Sequence, residues 1–209
     1  MTASLRTQIG DDENGGFIEN HLVAQGVRLD LASVGSHRTS IAIARIQLDG
    51  HADYVFDVAW CAAPVEPSPG VQFIHSGSIA SALAPGAADI VSLFGRATDR
   101  ILHSFDPNIR PGVLGARTDV LASTEAMAAF SRIVKLSDED AAWLHPGINL
   151  DPIIDRYLGL GAWVVAITRA ADGCVLATRT ARVTQRPVPV AVVDTIRGGD
   201  GSPRECSMP

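Results

Sequence analysis

The sequence contains no block of basic residues and no long apolar run. Seventeen lysines and arginines against 23 acidic side chains give a formal net charge of -6. That balance leaves no electrostatic footprint for nucleic acid or an anionic membrane surface. The longest apolar stretches, such as Ala162-Trp163-Val164-Val165-Ala166-Ile167, are strand-length and far short of a bilayer span. Cysteine is scarce. Cys61, Cys174 and Cys206 are far apart and odd in number, which suits neither a disulfide framework nor a metal knuckle. Ser4-Leu5-Arg6-Thr7-Gln8 is polar and unlike a secretory leader. These absences lead to the expectation of a reduced, cytoplasmic, soluble protein. Its 209 residues, 46% hydrophobic, suffice for one large domain, or one domain with a small appendage.

Apolar periodicity alternates between helix and strand along most of the chain. Phe17, Ile18, Leu22 and Val23 recur at helical spacing between Asn14 and Gln25, and Gly26 supplies the stop. Thr39–Leu48 and Ala52–Val58 read as two strands joined by Asp49-Gly50, a strong hairpin signal. After Pro64, Pro67 and Pro69 the pattern becomes regular: strand 71–76, helix 85–101, strand 102–105, helix 118–130 and strand 132–136. Short helices from Asp138 and Pro152, strand 162–167 and several short strands in 173–193 complete it. Such βα units predict an α/β fold, a doubly wound and mostly parallel sheet with helices on both faces. The 39–58 hairpin breaks that rhythm and is expected to project from the sheet.

In open α/β sheets, ligands sit beyond the carboxyl ends of the strands. Four polar loops follow four predicted strands: 106–110, 137–140, 168–173 and 194–200. In the last, glycines and a carboxylate follow Val190-Ala191-Val192-Val193. That is the layout of a strand ending at a backbone anion cradle with a base beside it. Phosphoryl transfer needs backbone donors and a cation around the moving phosphate, and a carboxylate near the acceptor hydroxyl can take its proton. Other readings stand beside these. Asp200 and Asp106 could be turn residues, Arg110 could pair with a carboxylate rather than a phosphate, and Asp138, Glu139 and Asp140 could simply favour a helix N-terminus. His75 reads as a satisfied core residue, and Trp60, Trp143 and Trp163 as packing residues.

The ordered motifs resemble the ribokinase-like (PfkB) carbohydrate kinases, and among them most closely the fructokinases. Asp106-Pro107-Asn108-Ile109-Arg110 matches the family's "DPNxR". Ile9-Gly10-Asp11-Asp12 with Gly15-Gly16 resembles "GDDxxG", His75-Ser76-Gly77-Ser78 resembles "hxGS", and Lys135 to Asp140 resembles "KxNxxE". Thr168 to Gly173 resembles "TxGxxG", and Asp194 to Asp200 resembles "DTxGAGD". The resemblance implies ATP-dependent phosphorylation of a small sugar, with Asp200 as catalytic base and Arg197, Gly198 and Gly199 at the anion hole. Asp106, Asn108, Arg110, Ser137, Thr168, Gly173, Asp194 and Thr195 would border phosphate and nucleotide. Asp140 and Glu139 would orient Mg²⁺ through water, and Tyr54 and Phe56 would line a sugar lid at about 27–60. In many relatives that lid also forms a homodimer.

Departures accompany the match. Ser137 and Asp140 stand where Asn and Glu are usual, Ala170 replaces a glycine, and Arg197 replaces the first glycine of the anion hole. The expectation is a partial kinase domain over 1–209, lacking the family's early sugar-binding aspartate. Its tail, 201–209, should be irregular, and its turnover at background as written.

Overall fold

The computed structural model describes residues 3–46, 52–61, 66–96 and 100–187. Helix α1 (Glu13–Ala24) begins where the Asp12 side chain accepts the Gly15 N–H and ends ahead of Gly26, whose φ of +71° is a glycine conformation. Around it lie two short parallel pairs that sequence patterning did not reveal. Strand β1 (Ser4–Leu5) pairs with β3 (Arg28–Leu29), and β2 (Ile9–Gly10) pairs with β4 (Val34–Gly35). At two residues each, they are too short for alternation to show.

Strands β5 (Ile41–Ile46) and β6 (Ala52–Asp57) form the expected antiparallel hairpin, a two-stranded sheet separate from the main one. The Asp49-Gly50 turn lies outside the described residues. The hairpin is narrower than the lid expected at 27–60, because residues 28–35 supply the partners of β1 and β2. Alternation divides the hairpin into two faces. Ile43 and Val55 are cross-strand partners and stay about half exposed, while the Ala42–Phe56 pair turns toward the body of the protein.

The main sheet runs in the order β7 (Phe73–Gly77), β8 (Leu102–Asp106), β9 (Ile133–Ser137), β10 (Val164–Thr168), β11 (Cys174–Ala177), β12 (Arg182–Gln185). The first four strands are parallel, β11 turns back antiparallel to β10, and β12 turns again antiparallel to β11. Between them run α2 (Ala87–Arg96), α3 (Arg117–Phe130), α4 (Asp138–Leu144) and α5 (Leu150–Leu160). Each parallel strand is added on the same side of its predecessor, so right-handed crossovers carry these helices to one face, where α3 touches α2, α4 and α5.

That face holds the core. Val134, Leu136, Val165 and Ile167 meet Ile153, Ile154 and Tyr157, all essentially inaccessible to solvent. Phe105 packs with Leu93, Phe94 and Met127. Each such aliphatic side chain contributes roughly 1.5–3 kcal/mol by leaving water. Helix α5 starts two residues before the expected Pro152, which sits in the first turn where no N–H partner is needed. Helix α2 is shorter than expected, 87–96, and residues 97–99 are outside the description.

Candidate active site

Because β8, β9 and β10 are parallel neighbours, the loops that follow them emerge along one edge of the sheet. Three of the four motif loops, 106–110, 137–140 and 168–173, are thereby brought together. Asp194, Thr195, Arg197, Gly198, Gly199 and Asp200 lie outside the described residues, as does the 201–209 tail.

Asp106 closes β8 on the face away from the helices. Lys135, the one lysine in the sequence, donates from Nζ to Asp106 Oδ2 at 2.8 Å, and both side chains are less than one-fifth exposed. Asp106 Oδ1 is buried without a hydrogen-bond partner. Burial pushes this carboxyl above its ordinary range, against the pull of Lys135. The neighbouring strand passes close enough that a Cβ on Gly77 would sit 2.6 Å from the Asp106 carbonyl oxygen. His75 is exposed on this face rather than in the core, and its Nδ1 lies 2.7 Å from Ser104 Oγ.

Beyond Asp106 the chain takes a left-handed step at Asn108, φ +41°. The next N–H, that of Ile109, donates to Asp140 Oδ1 at 2.7 Å. Asp140 Oδ2 accepts the Ser137 N–H at 3.0 Å, and the Asp140 N–H donates to Ser137 Oγ at 3.0 Å. This is a reciprocal capping box. Asp140 is 4% exposed, with both carboxylate oxygens engaged by backbone donors, so it anchors the loop and the helix start. Glu139 beside it is exposed. The spacing Ser137-x-x-Asp140 is itself the signal for this arrangement, with Asp in the place usual for Glu.

In the third loop, Thr168 Oγ1 donates to the Leu136 carbonyl at 3.4 Å. Ala170, where the resemblance has glycine, adopts φ +42°. A Cβ on Gly173 would lie 2.0 Å from the Gln185 carbonyl oxygen, so that glycine is needed for β12 to pass.

A cavity of about 270 Å³ lies between the hairpin and the loop after β8. Ser40, Ile41, Ala42, Phe56 and Val58 form one side, and Ile79, Asn108, Arg110 and Val113 the other. Arg110 is exposed and donates from one guanidinium nitrogen to the Ile109 carbonyl at 3.0 Å. Tyr54 belongs to β6, but its side chain lies outside the description. A larger, open groove of about 640 Å³ runs between the end of α5 and residues 178–182. It stands away from these loops, and its Arg182 is already paired with Asp151 and Asp155.

The three tryptophans divide. Trp60 is buried and donates to the Ala80 carbonyl at 3.0 Å, and Trp143 packs at the core's margin. Trp163 is 59% exposed, with the Arg132 guanidinium 5.2 Å from its ring centre. Sequence reasoning also missed Gln8, Asp12 and Thr39 as the residues that hold the hairpin base, since their partners are distant in sequence.

Among the described residues, no group of three or more His, Cys, Asp or Glu side chains could hold a metal ion, and no helix is long and apolar enough to cross a membrane.

Comparison with known proteins gives these observations a frame. Residues 2–201 match the pfkB family carbohydrate kinase model. The chain is 30% identical over 201 residues to a fructokinase of Rhizobium leguminosarum bv. trifolii, covering 93% of this chain and 61% of that protein. It is 28% identical over 214 residues to a fructokinase of Klebsiella pneumoniae, covering 92% and 66%. The chain thus spans less than two thirds of the length of these curated relatives. Among solved structures, fructokinase from Vibrio cholerae O395 with fructose, ADP and calcium ion bound superposes with a TM-score of 0.79 at 23% identity, over 96% of this chain and 68% of that one. Aminoimidazole riboside kinase from Salmonella enterica, complexed with aminoimidazole riboside and an ATP analog, gives 0.78 at 21%, over 96% and 68%. With the match running nearly end to end, through the same strand-end loops that converge on one sheet edge, this chain belongs to the pfkB family of carbohydrate kinases.

Proposed function

We propose that the site serves ATP-dependent transfer of the γ-phosphate to a primary hydroxyl of a small sugar, fructose first. The observation that carries this reading is the 270 Å³ cavity under the hairpin. It opens beside Asn108 and Arg110 at the edge where three motif loops meet. Its volume is below the roughly 300–1,000 Å³ of drug-sized sites, which suits one monosaccharide. The hairpin covers the acceptor and excludes water, with Phe56 packing on its apolar side. Asn108 and Arg110 hold the phosphates, and the loop from Thr168 to Gly173 borders the nucleotide. Ser137, with Asp106, Asp194 and Thr195, supports that side.

The donor set fits Mg²⁺, a hard cation held mostly through phosphates, water and one or two carboxylates. Glu139 and Asp140 would be those carboxylates, acting through water. When bound, the ion neutralises charge on the transferring phosphate. Asp200 takes the proton from the acceptor hydroxyl, and the Arg197-Gly198-Gly199 backbone donates to the phosphate. Support for these last roles is the sequence motif alone. The exposed Ile43–Val55 face of the hairpin suits a homodimer, and the sparse cysteines suit the cytoplasm.

A second reading, a protein that binds nucleotide without turnover, is favoured by Arg197, a long charged residue at a position where the resembled motif has glycine. A coupled assay of ADP release with ATP, Mg²⁺ and fructose separates the two. The kinase reading expects release at background from the chain as written, sugar-dependent release in Arg197→Gly, and its loss when Asp200→Ala is added. Nucleotide binding without sugar-dependent release in either form contradicts it. 2-keto-3-deoxygluconate and a nucleoside serve as alternative acceptors in the same assay.

A further inference from the structure

The base of the hairpin is held by side chains far from it in sequence. Asp12 Oδ1 accepts the Gly15 N–H at 2.8 Å, capping α1, and also the Thr39 hydroxyl at 2.6 Å. Asp12 Oδ2 accepts the Thr39 N–H at 2.8 Å, and the Thr39 hydroxyl oxygen accepts the Gly10 N–H at 2.9 Å. The approach depends on two glycines. A Cβ on Gly15 would lie 1.9 Å from the Gly10 carbonyl oxygen, and one on Gly10 would lie 2.2 Å from that of His37. The Thr39 hydroxyl, then the Thr39 and Gly15 N–H groups, hold the Asp12 carboxyl down to about 2.

One residue on, Ser40 Oγ donates to the Ala59 carbonyl and accepts the Ala59 N–H, each at 3.2 Å, tying the two stems together. The returning stem is fixed by Gln8, whose Oε1 accepts the Cys61 N–H at 2.6 Å. Ser40, Ile41 and Ala42 then form the wall of the cavity that faces Asn108 and Arg110. A helix cap needs only one acceptor oxygen, and Ser, Thr or Asn provides it as well as Asp. The second oxygen of Asp12, and half of the first, serve a residue 27 positions away.

We propose that Asp12 is a positioning residue for the acceptor pocket: through Thr39 it sets where the first hairpin strand lies over the 108–113 loop, and thereby sets acceptor affinity. The identity of that acceptor rests on the kinase reading; the clamp itself does not.

The test compares the wild-type chain with Asp12→Asn, Thr39→Val and Thr39→Ser, by hydrogen exchange and by calorimetric binding of fructose and of ADP. Asn at position 12 still offers a carbonyl to Gly15, but its amide opposes the Thr39 N–H donor to donor. In Asp12→Asn and Thr39→Val the amides of 39–42 should exchange about tenfold faster, one charge-assisted bond's worth. The Gly15 amide in Asp12→Asn and the β8 and β9 amides in both should keep their rates. The fructose Kd should rise by a similar factor while that of ADP holds, and Thr39→Ser should behave as wild type. Unchanged exchange at 39–42, equal loss of protection across β8 and β9, or unchanged fructose affinity in Asp12→Asn would each overturn the proposal. If fructose fails to bind the wild-type chain, the acceptor reading falls, and exchange at 39–42 still decides the clamp.

Discussion

Asp140 Oδ1 accepts the Ile109 N–H at 2.7 Å across 31 residues of sequence, so one buried carboxylate joins the start of α4 to the loop that follows β8. Its other oxygen takes the Ser137 N–H. Asp140→Ala removes a cap and leaves a buried N–H without a partner. The expected loss is about 3 kcal/mol, read from the urea midpoint at constant m-value. Asp140→Glu keeps the charge but adds a methylene in a fully packed place, and should cost less than the alanine. An alanine variant as stable as wild type would show that the two loops do not depend on this residue.

Lys135 and Asp106 form a nearly buried pair. Removing the lysine strands a carboxylate whose pKa burial already raises. Lys135→Met should therefore destabilise at neutral pH by about 2 kcal/mol, discounted from the 3–5 kcal/mol of a fully buried pair. The sign with pH follows from the raised value. The folded state holds this proton more tightly than the unfolded chain, so the deficit should shrink as pH falls and Asp106 protonates. Thermal melts of both forms at several pH values check it; a pH-independent deficit would contradict it.

His103 is 5% exposed, stacks near Phe94, and has no partner for Nε2. Burial lowers its pKa and that of His145. A base with a depressed folded pKa must stay neutral, so the unfolded chain takes up protons first as pH drops below 6.5, its ordinary value. Stability should be flat above that point and fall below it, and His103→Phe should reduce the slope. Denaturant titrations at several pH values between about 5 and 8 measure this.

Ala170 holds φ +42°, a left-handed conformation that costs a residue with a Cβ roughly 1–2 kcal/mol. Ala170→Gly should raise stability by about 0.5–1 kcal/mol, since glycine's greater freedom in the unfolded chain offsets part of the relief. A destabilised Gly variant would show that the strain is absent.

The legible parts were those written in local patterns. Alternating Val134-Leu136 and Val165-Ile167 marked buried strands, and Asp106 to Arg110 carried a motif dense enough to name a family. The substitution at Ala170 was visible, and its positive φ explains why glycine is usual there. The illegible parts depend on distant partners. Asp12 read only as part of a GDDxxG-like motif because Thr39 lies far along the chain, and Gln8 offered no pattern. Asp140 read equally as a metal-loop or helix-start acid. Only the fold shows both its oxygens turned to backbone N–H groups. Trp163 was taken for packing because an apolar run surrounds it, yet it sits just before β10 and is more than half exposed.

The most direct test of the account is the footprint of the sugar itself. Hydrogen exchange is measured on the wild-type chain with and without saturating fructose, in the presence of ADP and Mg²⁺. The account predicts added protection confined to 40–42, 56–58 and 108–113, the walls of the cavity under the hairpin. Protection at 155–159 and 178–182 instead, or none at the hairpin base, would contradict it.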